Sequence, residues 1–341
     1  MELTKIAMVT VFFGDWPTWG DLFLESCGNN PTVDFFLISD CKPRRPLAAN
    51  VKLVELDLAR FKALASERLG VAIKFERLHK LCDFKPTWGV LFQELLAEHA
   101  FWGHCDHDVI FGDIRAFISE ALLRQHDVVS ASREWMTGHF TLYRNHEFFN
   151  RLYERSRDYH AVLGGTVTEG FDECGQGLFE KLLAGASFAE VAAEANVDAM
   201  QQIILRTPGV RLLLSPLCDE WMPAALDQGV KTRRFRWQDG KLFEEVTGRE
   251  LMYVHFWYPK RELRLFTPRW PRLPRAFRLT ERGFFWLGRQ PLWQRLATES
   301  WRALYFCGRF FRVNYRYARI GLPRRIAAWR AARRQRRPAR A

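Results

Sequence analysis

Residues 5–13, Lys-Ile-Ala-Met-Val-Thr-Val-Phe-Phe, are almost continuously apolar and stop abruptly at Gly14-Asp15-Trp16-Pro17. A run so short and so uniformly apolar fits a strand covered on both faces, the strand type of layered α/β proteins. The Asp-Trp-Pro segment that ends it can open a helix reaching toward Ser26, because proline suits the first helical turn. Residues 33–39 repeat the buried-strand pattern and end in Asp40, and residues 51–56 alternate as a third strand. Residues 61–69 read as a helix that stops at Gly70. Strand, helix, strand, strand, helix opens an α/β domain. Ligands of open α/β sheets collect beyond the carboxyl ends of the strands, so Phe13-Gly14-Asp15 and Ser39-Asp40 are expected beside any nucleotide pocket.

Further along, Lys80-Leu81-Cys82-Asp83-Phe84-Lys85-Pro86 precedes a helix expected over residues 87–99, with Pro86 at its first position. Lys80, Asp83 and Lys85 read either as surface charges or as contacts to a base, a ribose or a phosphate. A strand then carries the chain into His104-Cys105-Asp106-His107-Asp108, ahead of Val109-Ile110-Phe111. Residues two apart in an extended segment point to the same side, so Asp106 and Asp108 can converge on one hard cation. His104 and His107 flank them and admit borderline metals. A surface turn between two buried strands is the plainer reading of the same residues.

A helix is expected after Asp113, reaching to about Gln125, a strand over 127–132, and a strand over 137–145 entering a helix capped by Asn145. Gly164-Gly165 opens a loop that reaches Glu169-Gly170-Phe171-Asp172-Glu173, a place suited either to substrate contacts or to a solvated connector. Residues 178–206 read as helical and 210–214 as a strand. Asp239-Gly240 between two alternating runs is a hairpin signal. A last apolar strand ends with His255, five residues before Lys260.

Composition matters chiefly for the end of the chain. The formal charge is +12 over 341 residues, but from Lys260 onward there are 23 Lys and Arg against three acids, and before it 28 against 36. A mildly acidic body therefore bears a strongly basic, aromatic-rich tail, which calls for an anionic partner. The seven cysteines are scattered, with no Cys-x-x-Cys, which excludes a disulfide framework or zinc knuckle and fits a reducing compartment. No apolar run reaches membrane-spanning length, and the amino terminus reads as a strand, not a signal peptide, so a cytoplasmic protein is expected.

The order of these motifs resembles a GT-A glycosyltransferase: a β-rich opening, Lys80-x-x-Asp83, Asp106-x-Asp108 and a late His255-Phe256 followed by Lys260. The wording around the acids is similar to that of an uncharacterised bacterial glycosyltransferase-like family. The resemblance covers roughly residues 5–260 and implies an α/β fold, a GT-A (Rossmann-like) mixed sheet, over residues 1–260. Residues 261–341 would form a basic, mainly helical extension. It implies Mn²⁺ or Mg²⁺ as cofactor and a nucleotide-sugar donor, with a UDP-sugar favoured. Asp106 would contact the ribose or the metal, Asp108 and His255 would ligate the metal, and Lys260 would hold a diphosphate oxygen. Phe12, Phe13 and Asp83 would lie around the nucleotide base. His104 and His107 are not expected to ligate. Asp172 and Glu173 are the candidates for a catalytic base, acting on a cell-surface glycan or lipid-linked acceptor.

Two other readings compete. His104, Asp106, His107 and Asp108 together resemble fragments of a metallohydrolase motif, without its complete His-x-His-x-Asp-His form. The arginine-rich tail suits nucleic acid. It also suits an anionic membrane surface, and peripheral attachment to the inner face of the cell membrane through residues 275–341 is the expectation; nucleic acid is not.

Overall fold

The computed structural model describes residues 3–220, 233–257, 266–268, 270, 272–289, 291–316 and 319. Its first nine strands are β1 (Ile6–Phe12), β2 (Val33–Ser39), β3 (Val51–Glu55), β4 (Phe101–Cys105), β5 (Val109–Phe111), β6 (Val128–Ser130), β7 (Phe140–Arg144), β8 (Leu212–Leu214) and β9 (Cys218–Glu220). Seven of them form one sheet in the order β3-β2-β1-β4-β7-β6-β8. β1, β2, β3 and β4 run parallel, β7 runs antiparallel to β4 and to β6, and β8 runs parallel to β6. This is an α/β fold with a large mixed sheet, compatible with a Rossmann-like arrangement.

β1 shows why its sequence lacks alternation. Ala7, Val9 and Val11 pack into one apolar cluster, with Phe61 and Trp102, while Ile6 and Met8 pack into a second, with Phe35 and Phe101. Both faces of the sheet are covered, so the strand is apolar throughout except at Thr10, whose buried hydroxyl donates to the Cys105 carbonyl at 3.1 Å.

The remaining strands among the described residues are β10 (Arg234–Gln238), β11 (Lys241–Glu244), β12 (Glu250–Leu251), β13 (Tyr253–His255), β14 (Ala276–Thr280) and β15 (Gly283–Trp286). A five-stranded antiparallel sheet has the order β12-β11-β10-β14-β15, and a three-stranded one the order β5-β13-β9. Asp239 and Gly240 both take positive φ, 48° and 82°, and make the expected hairpin between β10 and β11. The chain leaves the five-stranded sheet at Leu251 and enters the three-stranded one at Tyr253, with only Met252 between. Trp237 on β10 joins the sheets by donating its indole N–H to the Phe111 carbonyl at 2.8 Å.

The boundary expected at residue 260 falls inside this architecture. β14 pairs with β10 and β15 with β14, so the folded body continues to Trp286. Beyond it lies a helix, Leu292–Arg316. Residues 320–341, which hold the arginine-rich end of the expected extension, lie outside the described residues.

Several helices are shorter than their apolar patterns suggest. In place of one helix over 87–99 there is a 3-10 helix, Leu78–Thr87, containing Pro86, then two single turns, Trp88–Leu91 and Gln93–Leu96, separated at Phe92 with φ −121°. The helix expected between Asp113 and Gln125 is two pieces, Ile114–Phe117 and Glu120–Gln125, because Ser119 caps the second with its side chain. The first helix starts only at Gly20. His146, not Asn145, caps the helix after β7, accepting from the Phe148 amide. Asn145 instead donates to the carbonyls of Leu96 and His99 at 2.8 and 2.9 Å.

Candidate metal centre

The strand order places β2 and β3 on one side of β1 and β4 on the other, so the crevice at the carboxyl ends of β1 and β4 is a topological switch point. β4 ends at Cys105, and Asp106 is the next residue out of the sheet. Its backbone amide donates to the His139 carbonyl at 3.3 Å, which fixes how the chain leaves. Asp108 sits at the entry to β5, and its carbonyl accepts from the Phe256 amide at 3.1 Å. That bond continues the antiparallel ladder in which His255 pairs with Val109. A residue almost 150 positions away by sequence is thus carried to the aspartates by strand pairing.

His255 Nε2 lies 3.6 Å from Asp108 Oδ2 and 4.0 Å from Asp106 Oδ2. One donor atom from each of the three residues lies within 4.8 Å of the others. An ion bound at about 2.1 Å leaves adjacent donors about 3 Å apart and opposite ones about 4.2 Å apart. The His255 separations fall in that interval, so the residues fit a single divalent cation. Two carboxylates and an imidazole suit Mn²⁺, while Mg²⁺ prefers oxygen alone.

Lys85, from the 3-10 helix, enters the site from the other side. Its ammonium lies 2.8 Å from Asp106 Oδ1 and 3.2 Å from Asp172 Oδ2, and it donates to the Gly138 carbonyl at 2.9 Å. Burial pulls the Lys85 ammonium toward neutrality, but Asp106, the Cys82 thiol and Asp172 outweigh that and hold it well above its ordinary value. Burial likewise raises the Asp106 carboxyl. The Lys85 ammonium, with help from His255, overcomes burial and the repulsion of Asp108, so the net direction is downward. Asp106 is thereby held ionised. Asp172 goes the other way: burial, with Asp83 and Asp106, pushes its carboxyl up to about 6 despite Lys85.

Gly138 is needed where these groups meet. A Cβ there would lie 2.4 Å from Asp172 Oδ2 and 2.9 Å from Glu173 Oε1, inside any allowed contact. Glu173 Oε1 accepts from the Gly138 amide at 2.7 Å.

The other expected residues fall in varied places. Phe12 is half-buried, with its ring 4.4 Å from that of His107, at the rim of the crevice. Phe13 is buried and packs on Phe61 in the core. Lys80, Asp83 and Lys85 are not surface charges, since all three are buried. Both Asp83 oxygens are engaged, by Lys80 Nζ at 2.8 Å and by the amides of Glu169 and Phe171 at 2.9–3.2 Å. Asp83 therefore ties down the loop that carries Asp172 and Glu173. Lys260 lies outside the described residues.

His104 contacts the Gly138 carbonyl through Nδ1 at 2.9 Å, and burial lowers its imidazole to about 3, so it stays neutral. His107 lies against Phe12 and Trp19. Among the described residues neither joins the metal-ligating group.

Sequence reasoning missed His139 and Tyr253. The His139 ring lies 4.3 Å from that of His255, and its Nδ1 is 2.7 Å from the Tyr253 hydroxyl. Tyr253 precedes His255 by two on β13, so it shares that residue's face. That spacing is the one signal that could have found it.

Fold and site together are those of an α/β protein with a mixed sheet and, at its switch point, an Asp-Asp-His group able to hold a metal ion. The chain belongs to the family of unknown function DUF6625, which it matches over residues 8–285, from β1 through most of β15 and so across every residue of the centre. No curated protein matches it.

Proposed function

We propose that this protein is a metal-dependent glycosyltransferase of the GT-A type, moving a sugar from a nucleotide-diphosphate donor, UDP favoured, to a glycan or lipid-linked acceptor. The observation that carries the reading is the convergence of Asp106, Asp108 and His255 at the switch-point crevice, where a nucleotide would lie. Asp106, Asp108 and His255 would hold Mn²⁺ or Mg²⁺. When bound, such a cation neutralises charge growing on a departing nucleoside diphosphate.

The protein's own groups prepare that site. Lys85 keeps Asp106 ionised and fixes its Oδ1, leaving Oδ2 toward His255. Asp172 is buried against Lys85, which suits a part in holding that ammonium in place. Glu173 is half-buried, and of the two acids it is the better placed to accept a proton from an acceptor hydroxyl. Phe12 and His107 line the rim where a flat base could rest. The hydrolase reading loses support because His104 and His107 stand apart from the ligand group.

The test is turnover of a panel of sugar nucleotides with Mn²⁺, in wild type and Asp108→Ala. Mn²⁺-dependent release of nucleoside diphosphate with sugar transfer, abolished in the variant while its fold survives, is expected. Equal turnover by the variant would refute the assignment.

A further inference from the structure

The helix Leu292–Arg316 follows the residues matched by the family, and the candidate site makes no use of it. Its 25 residues extend about 37 Å at about 1.5 Å per residue. Leu292, Trp293, Leu296, Leu304, Phe311 and Tyr315 are each 58–70 % exposed. At about 100° per residue these six positions fall within an arc of about 140° along one side of the helix.

The opposite side holds the helix to the body. Tyr305 and Phe306 lie with ring centres 5.7 and 6.5 Å from that of Phe266, and Arg302 lies over the Phe285 ring at 5.8 Å. Phe266 is itself fixed by its bridge to Gly283, where φ is +124° and a Cβ would lie 2.0 Å from the Phe266 carbonyl oxygen. The apolar stripe therefore faces away from the protein. A face of this size exposed on a monomer marks a surface that another phase or partner covers.

Charge selects the occupant. From Lys260 onward the chain has 23 basic residues and three acids, while the part before it has 28 and 36. Two copies meeting through this helix would bring two strongly basic segments together, whereas an anionic bilayer complements both the charge and the apolar face. No described helix is long and apolar enough to cross a membrane, so the helix would lie in the interface.

We infer that Leu292–Arg316 is an interfacial helix that seats the protein on an anionic lipid bilayer, with Trp293, Leu296, Leu304 and Phe311 buried among the acyl chains. The basic residues that follow add attraction to the headgroups. The inference stands apart from the reaction, since vesicle binding is read without nucleotide, metal or acceptor.

The experiment is co-sedimentation of the full-length protein with phosphatidylcholine vesicles, with and without one third phosphatidylglycerol, at low and high salt. Wild type is expected to bind the phosphatidylglycerol vesicles at least about tenfold more tightly than phosphatidylcholine alone, and less tightly at high salt. Leu304→Glu/Phe311→Glu should lose that binding by about tenfold or more, with an unchanged melting midpoint for the body. Leu304→Ala/Phe311→Ala, a milder pair, should fall between. Equal partitioning of wild type and the glutamate variant would overturn the inference. So would a wild-type dimer that the glutamate variant converts to monomer while vesicle binding persists, since the face would then be a self-association surface.

Discussion

Replacing Lys85 by methionine would leave Asp106 and Asp172 without the ammonium that lies 2.8 and 3.2 Å from them. Lys85 is 4 % exposed, so water cannot take its place. Removing one partner of a fully buried ion pair costs about 3–5 kcal/mol, but the Asp106 side chain is 28 % exposed, so Lys85→Met should lower the unfolding free energy by about 3 kcal/mol or less in chelator-treated protein. Added Mn²⁺ should recover part of the loss by supplying positive charge beside Asp106, which a denaturation series with and without the metal would measure. Gly138→Ala tests the same cluster sterically: its Cβ would sit 2.4 Å from Asp172 Oδ2. Overpacking of this kind costs about 1–3 kcal/mol, and weaker Mn²⁺ binding should accompany it if the displaced acid disturbs Lys85. A variant as stable as wild type, with equal Mn²⁺ affinity, would show that the cluster can move aside freely.

At the scale of elements, Asp127 shows how three strands are locked at one edge of the main sheet. Standing just before β6, it accepts from Arg144 Nε on β7 at 2.8 Å, and from Arg211 Nε and an Arg211 terminal nitrogen, just before β8, at 2.8 and 2.7 Å. The Arg211 hydrogen bonds, aided by Arg144 and opposed by burial, hold its carboxyl well below the usual range. A carboxyl lowered on folding stabilises above its unfolded value, about pH 4. That contribution is lost as pH falls toward the folded value. Asp127→Asn should therefore cost about 2 kcal/mol at neutral pH, the arginines being partly exposed, and the gap to wild type should shrink steadily below about pH 4. A gap that stayed constant with pH would show that shape, not charge, is what the carboxylate supplies.

What could be read in advance divides along this scale. The strands at residues 5–13, 33–39 and 51–56 and the Asp239-Gly240 hairpin were legible because burial and turn geometry impose local patterns. So were Asp106 and Asp108, two apart beside a strand. The breaks at Phe92 and Ser119 were not, because the apolar spacing runs on across both. Nor was the part played by Lys85, whose partners Gly138 and Asp172 are 53 and 87 positions away. Asp83 misled for the same reason: its bonds to Glu169 and Phe171 span 86 and 88 positions.

The whole molecule brings its mixed sheet and its small three-stranded sheet together at the candidate centre, since Asp106 leaves the first and His255 ends a strand of the second. A ligand that bridges them should stabilise the fold as one unit. Mn²⁺ at a hundredfold excess over its dissociation constant should add about 2.7 kcal/mol, seen as a raised melting midpoint, and Asp108→Ala should abolish the shift. An identical shift in that variant would place the bound ion elsewhere. The body also ends in a way that composition obscured. The basic bias begins near Lys260, yet β14 and β15 complete a sheet, and the change in physical character comes only with the helix at Leu292.

The passage of the chain through Met252 has a consequence for which length changes the family can bear. Side chains on a strand alternate, so a slip of one residue turns each of them to the other face. Only Tyr253 and Val254 separate His255 from that passage. Inserting or deleting one residue there would aim Val254 or Phe256 at the aspartates and bury the imidazole among apolar groups. Loops elsewhere can grow or shrink at small cost. Between Leu251 and His255 the spacing itself is what the site depends on, and members that keep the centre should keep that spacing even where the residues differ.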